Sequence, residues 1–167
     1  MRIGLGALPP GMARLAGETA DVAIMWLTPA SYIRDTVIPA LREGAEQARR
    51  QMPKVTVIVP MALSRPEREP AELALASNAA HIKAAHYIDI LSRAGVDVTG
   101  DDPLIAAKAL VDGGAFLSGD IDRITEQMAE YTDAGVDEIV LNLTGVYQLC
   151  GPQATLTDLK TILAEVA

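Results

Sequence analysis

The chain has 167 residues, half of them apolar and only 4% aromatic, with 22 acidic against 14 basic side chains and a net charge of −8. That balance argues against nucleic acid or an anionic membrane as a partner, because no basic surplus exists to neutralise phosphates. A chain of this size buries about 70% of its unfolded surface as one unit, so a single domain over residues 1–167 is expected. The lone Cys150 has no intramolecular partner, which points to a reducing cytoplasm. The longest strongly apolar run, residues 55–63, falls far short of the roughly 18 residues of a membrane helix. Glycines and prolines soon after Met1-Arg2 leave no readable signal peptide.

Four apolar runs read as strands: residues 2–8, 22–27, 54–61 and 138–143. The middle two are apolar at nearly every position, the pattern of a strand covered on both faces. Between the runs the period becomes helical. Met12, Leu15 and Ala16 start a short helix after Pro9-Pro10-Gly11. Thr28-Pro29 supplies an N-cap and a first-turn proline for a helix to Arg50, with Ile33, Val37, Leu41, Ala45 and Ala48 on one stripe. Pro39 lies inside that stripe and is expected to kink or split the helix. After Pro70 the spacing of Leu73, Ala76, Ala80, Ala84, Tyr87 and Leu91 predicts one long helix, ended by Gly95. Asp102-Pro103 opens a short helix that stops at Gly113-Gly114. Asp120 caps another, with Ile121, Ile124, Met128 and Tyr131 inward and Gly135 at its end. Thr157 is read as the cap of the last, with Leu159, Ile162, Leu163 and Val166 inward.

The order is β-α-β-α-β-(α-α-α)-β-α, which implies right-handed βαβ units and a parallel sheet. The Ala-Gly-Val-Asp that occurs at 94–97 and again at 134–137 is helix-exit chemistry without a fixed repeat period. The charge cluster at residues 65–69 reads as a solvated loop. Four β/α units make either a small open sheet or half of a (β/α)8 barrel, for which about 250 residues are typical. Periodicity leaves both open.

Three stretches in chain order resemble the luciferase-like family of flavin- and deazaflavin-dependent oxidoreductases, in its C-terminal half. Ala7-Leu8-Pro9-Pro10-Gly11-Met12-Ala13-Arg14-Leu15-Ala16-Gly17-Glu18, closing with Ala20-Asp21, is similar to that family's strand-to-helix junction. Trp26-Leu27-Thr28-Pro29 and Val37-Ile38-Pro39-Ala40-Leu41 resemble the next unit. Phe116-Leu117-Ser118-Gly119-Asp120, leading through residues 131–138 to Leu141-Asn142-Leu143, resembles the last. The resemblance implies half of a (β/α)8 TIM barrel: four parallel strands in chain order, helices on one side, and an enlarged helical connection after the third strand. The family's first four β/α units have no counterpart here, and Pro9 stands where the family usually has glycine.

In such a barrel the site lies at the C-terminal ends of the strands. The resemblance therefore implies cofactor contacts from Ala7, Leu8, Pro10, Gly11, Trp26, Thr28 and Arg65, with FMN or a deazaflavin coenzyme as the cofactor. Arg65 reads as a fork donor to phosphate or as a solvated loop arginine. Trp26 reads as a pocket wall or as barrel packing, and Thr28 chiefly as a cap. Asn142, Thr144, Gly145 and Tyr147 follow the last strand. Gly4-x-Gly6 is no dinucleotide fingerprint, because Pro9 replaces its third glycine. His81 and His86 lie five apart with no ligand cluster beside them, so no metal is expected. No catalytic acid or base is assigned; in this family the flavin carries the redox chemistry and the protein orients it. The function implied is a component of a luciferase-like oxidoreductase or monooxygenase, against a non-catalytic half-barrel subunit as the rival. A half-barrel leaves two strand edges and one sheet face open, so a homodimer, or a separate N-terminal half-barrel chain, is expected to cover them.

Overall fold

The computed structural model describes residues 1–166. Five parallel strands form one sheet: β1 (Gly4–Gly6), β2 (Val22–Trp26), β3 (Lys54–Leu63), β4 (Leu117–Gly119) and β5 (Glu138–Asn142). The four expected strands are all present, in the order β1-β2-β3-β5. Strand β4 is an addition. It pairs with the last three residues of the long β3, beyond the reach of β5, in the register Met61↔Leu117 to Leu63↔Gly119.

The register gives continuous rows across the sheet. Gly6, Ile24, Thr56 and Glu138 form one row, and Trp26, Ile58 and Val140 another. Two aspartates, just ahead of β2 and β5, each accept a backbone N–H near the start of the neighbouring strand. The Ile3 N–H donates to Asp21 Oδ2 at 2.8 Å, and the Val55 N–H to Asp137 Oδ2 at 2.7 Å. Burial alternates along β2: Ala23 and Met25 are buried, whereas Val22, Ile24 and Trp26 are half-buried. Gly4, Gly6 and Val140 share the second face and are exposed. That open face is the one a complete barrel turns to its axis.

The outer face carries the helices. Helix α1 (Pro10–Thr19) packs on α3 (Ile38–Gln47) through glycines: a Cβ on Gly17 would lie 2.2 Å from the Leu41 carbonyl oxygen, and one on Gly44 2.0 Å from that of Arg14. The buried side of α1 is Ala13, Ala16 and Gly17, and Leu15 is 40% exposed. Pro39 does not split its helix. A π-helical turn at Ile33–Val37 joins α2 (Ala30–Tyr32) to α3, and the wider turn absorbs the N–H that proline lacks. Ile33, Val37, Leu41 and Ala45 are buried as expected, but Ala48 is exposed. Burial of an Ile, Val or Leu of this kind is worth about 1.5–3 kcal/mol.

The single helix expected after Pro70 is three pieces: α4 (Pro70–Asn78), a 3-10 turn at His81–Lys83, and α5 (Ala85–Arg93). Alanine at 76, 80 and 84 offers little apolar surface to hold one continuous stripe, and Ala80 is exposed. Gly95 does end this segment, at φ +80°, as Gly135 ends a later one at +93°. Helices α6 (Pro103–Asp112) and α7 (Ile121–Asp133) open on aspartates as expected; Asp102 accepts from the Leu104 N–H and Asp120 from the Arg123 N–H. The span Thr144–Val166, α8, is two helical stretches broken at Gly151, whose φ +83° and ψ 175° are not helical; the second begins at Pro152, ahead of the expected Thr157. Thr157 is inside it, donating to the Gln153 carbonyl at 2.9 Å. Of the residues expected inward, Ile162 is buried, whereas Leu163 and Val166 are 51% and 41% exposed. Among the described residues no helix is long and apolar enough to cross a membrane.

Candidate functional site

The C-terminal ends of the strands form a rim, and the helices that follow them begin there. After β1 the chain passes through Ala7, buried, and Leu8, half-buried, to Pro9 and the start of α1. Pro9 has extended backbone at the N-cap, no side chain caps the helix, and its first turn holds no acidic residue. The amides of Gly11 and Met12 therefore face no carboxylate, in contrast to α6 and α7, each sealed by an aspartate. A bare helix N-terminus with an exposed glycine is a favourable seat for an anion. A Cβ on Gly11 would meet nothing within 4 Å, so the approach is open.

At the end of β2 the backbone turns through Leu27, which has φ +54°. Such strain in a non-glycine residue costs of order 1 kcal/mol and concentrates at functional sites. Trp26, on the open face, lies 5.3 Å from the His81 ring, which is edge-on to Tyr87 at 5.0 Å. Trp26 Nε1 and His81 Nδ1 are buried without a hydrogen-bond partner. Burial, and then the neighbouring His86, hold the His81 pKa below its usual value. The two histidines are thus part of an aromatic cluster, with His86 4.5 Å from Tyr87.

Thr28 does not cap its helix. Its hydroxyl donates to the Trp26 carbonyl at 2.9 Å, Pro29 occupies the N-cap, and the residue is buried. The Thr28 carbonyl accepts from the Tyr131 hydroxyl at 3.1 Å, which also donates to Gly114 at 3.1 Å. Tyr131 is buried, and burial, followed by Glu130, raises its pKa well above the usual value. One hydroxyl thereby ties α7 to the end of β2 and to the exit of α6.

After β3 the charge cluster at 65–69 is not simply a solvated loop. Arg68 has a side chain only 5% exposed, donates to the Leu63 carbonyl at 3.2 Å, and pairs with Asp158 of α8, itself 1% exposed. Burial disfavours the Arg68 charge, yet the hydrogen bond and charge of Asp158 outweigh it and its pKa is raised. Arg65, the expected phosphate donor, also reaches Asp158 at 3.2 Å, with 39% of its side chain exposed. The sequence reading missed Asp158 and Arg68, which lie 90 residues apart with no local pattern linking them.

After β5, Asn142 accepts the Thr144 N–H at 2.8 Å and opens α8. Ile58, Val140, Asn142, Tyr147, Thr155 and Leu159 help line a groove of about 320 Å³ at this end of the rim. A cleft of about 450 Å³, lined by Arg2, Asp21, Arg50 and Lys54 among others, lies at the opposite, N-terminal end of the sheet. The expected contacts thus fall into three separate places on the rim: Leu8 to Gly11 at the start of α1, Trp26 on the open face, and Arg65 beside α8. Ala7 and Thr28 are buried between elements.

The chain is similar to known enzymes. An F420-dependent glucose-6-phosphate dehydrogenase from Nakamurella multipartita is 29% identical over 149 residues, covering 86% of this chain and 42% of that protein. The coenzyme F420-dependent tetrahydromethanopterin reductase of Methanopyrus kandleri matches with a TM-score of 0.59 at 20% identity, over 95% of this chain and 51% of its own. An F420-dependent secondary alcohol dehydrogenase, solved with an F420–acetone adduct, gives a TM-score of 0.57 at 15% identity, over 88% of this chain and 47% of its own. The chain thus spans about half the length of these proteins, or somewhat less, and shares a fold with the two solved ones. The luciferase-like monooxygenase family matches residues 2–138, a stretch that holds all of β1 to β4 and the rim from Ala7 to Arg65, and the chain belongs to that family.

Proposed function

We propose that this chain is the coenzyme-holding half of a flavin- or deazaflavin-dependent oxidoreductase, with the open sheet face completed by a second half-barrel. The observation that carries the reading is the uncapped N-terminus of α1 on the C-terminal rim, where the Gly11 and Met12 amides meet no acidic side chain. The phosphate-bearing tail common to FMN and F420 fits a donor set of this kind. When bound, such a coenzyme supplies hydride transfer, which no side chain of the chain provides. Gly11 keeps the approach to the helix open, Trp26 gives the ring system an apolar wall, and the half-buried Leu8 excludes water from the loop. Three F420-dependent relatives support a deazaflavin over FMN. A cytoplasmic setting fits the free and exposed Cys150.

Titration with FMN and with F420, each followed by fluorescence of Trp26, the sole tryptophan, tests this directly. Quenching that saturates with one coenzyme, and weakens at least tenfold in Gly11→Asp, is the expected result. No quenching by either, for the chain alone and with a complementing N-terminal half, overturns it. The alternative is a non-catalytic half-barrel subunit. Two observations favour it: Pro9 and Pro10 remove two amide donors from the loop, and Asp158 already engages Arg65.

A further inference from the structure

The open face and its two free edges specify their own partner. Strand β1 bonds to β2 through its odd-numbered residues: Ile3 accepts the Val22 N–H at 3.2 Å, and the Ala7 N–H donates to Ile24 at 2.9 Å. In a parallel ladder this turns the N–H and C=O of Gly4 and Gly6 outward, to the free edge. The other edge is β5, where Val140 is 40% exposed; Ile3, beside β1, is 58% exposed.

An eight-stranded barrel of this class has a shear of eight residues. Following hydrogen-bonded rows once round it returns to the starting strand eight residues away, and with right-handed tilt the displacement is toward the N-terminus. A two-fold assembly of two four-strand halves divides that displacement equally, four residues for each half. Counting across the observed register from Gly6 through Ile24 and Thr56 reaches Glu138. The next position, on the neighbouring half's β1, is four residues before Gly6, which is Arg2. A shift of the opposite sign would land on Pro10, inside α1 and unable to pair.

We propose that a second copy of this chain closes the open face, each β1 pairing with the other copy's β5 in the register Arg2↔Glu138, Gly4↔Val140 and Gly6↔Asn142. The occupant follows from complementarity along the whole edge. Arg2 meets the opposite charge of Glu138, twice by symmetry. Ile3 and Leu5 fall beside Ile139 and Leu141 on the outer face. Gly4 and Gly6 present no side chain beside Val140 and Asn142, and a Cβ on Gly6 would meet nothing within 4 Å in one copy alone. At the N-terminal end of the two edges, Arg2 precedes β1, whereas Asp137 and Glu138 open β5. This inference rests on the half-barrel part of the functional reading and not on coenzyme binding.

Light scattering at micromolar concentration tests the assembly, and charge exchange tests its register. The parent chain is expected to run at twice its 17.7 kDa mass. Arg2→Glu and Glu138→Arg each place like charges side by side and weaken the dimer at least tenfold, while the double variant R2E/E138R restores it. Independently, in a Cys150→Ser background, Gly6→Cys with Asn142→Cys gives a covalent dimer on oxidation. Gly6→Cys with Leu141→Cys, one residue out of register and on opposite faces, does not. A stable monomer, or a dimer indifferent to the charge exchange and cross-linked equally by both cysteine pairs, overturns the proposal. A charge-rescued dimer that binds neither FMN nor F420 upholds the closure and overturns the functional reading instead.

Discussion

Asp158 is the position where one atom exchange has the largest consequence. Asp158→Asn preserves volume and removes the charge that balances Arg68. Both side chains are almost wholly out of water, at 1% and 5% exposure. Removing one partner of such a pair strands the other and costs about 3–5 kcal/mol. Arg65 is 39% exposed, so its share of the pairing is worth less than about 1 kcal/mol. With a urea slope of about 1–3 kcal/mol/M, Asp158→Asn lowers the unfolding midpoint by on the order of 2 M, and Arg65→Met by a small fraction of that. The double variant Arg68→Met/Asp158→Leu removes both charges together and recovers most of the loss, because no buried ion remains unpaired. Equilibrium urea unfolding of the parent and these three variants is the measurement that checks it. If Asp158→Asn stays within about 1 kcal/mol of the parent, or Arg65→Met costs as much, the buried-pair account is wrong.

Two further outcomes follow from packing and protonation. Gly44→Ala drives a methyl group against the Arg14 carbonyl, 2.0 Å away, and forces α1 and α3 apart; a loss of about 1–3 kcal/mol is expected in thermal unfolding, and a change below about 0.5 kcal/mol would refute close helix contact as the reason for the glycine. His81 has its pKa lowered by burial and then by His86, from a usual 6.5, so the unfolded chain takes up the proton first as pH falls. Stability is therefore constant above the usual value and declines as pH drops through it toward the folded-state value. His81→Phe flattens the decline in urea midpoint between about pH 8 and pH 5.5, and an unchanged slope in that variant would assign the effect elsewhere.

The strands were legible because parallel-sheet strands need nearly unbroken apolar runs, and residues 22–27 and 54–61 supplied them. Helix starts at Asp102 and Asp120 were legible for the same local reason: a carboxylate beside orphan amides. What escaped was decided at a distance. The break after Asn78 depends on what surrounds alanines that carry little signal of their own. Thr157 has the right chemistry for a cap, but its helix already begins at Pro152 after the non-helical Gly151, so the threonine is left to bond within the helix. Leu163 and Val166 have an inward period yet sit on the helical stretch that follows the break at Gly151. The rim positions were readable from strand ends, whereas the pairing of Arg65 and Arg68 with a carboxylate on α8 was not. Local spacing carries no trace of it.

The paired aspartates at the strand starts have a consequence for how the sheet stays in step. A hairpin sets register by the length of its turn, but strands joined through helices have slack in two loops and lack that gauge. A slip by one residue is forbidden by the hydrophobic pattern, since it would turn every inward side chain outward. A slip by two preserves that pattern and is opposed only by something that marks a position. Asp21 and Asp137 are such marks, one tying β1 to β2 through Ile3 and the other tying β3 to β5 through Val55. They act as zero points on a ruler. The heights of Arg2 at one edge and Glu138 at the other are then fixed relative to each other, so the fit of any half that docks there is set by two carboxylates lying beneath the sheet's N-terminal end.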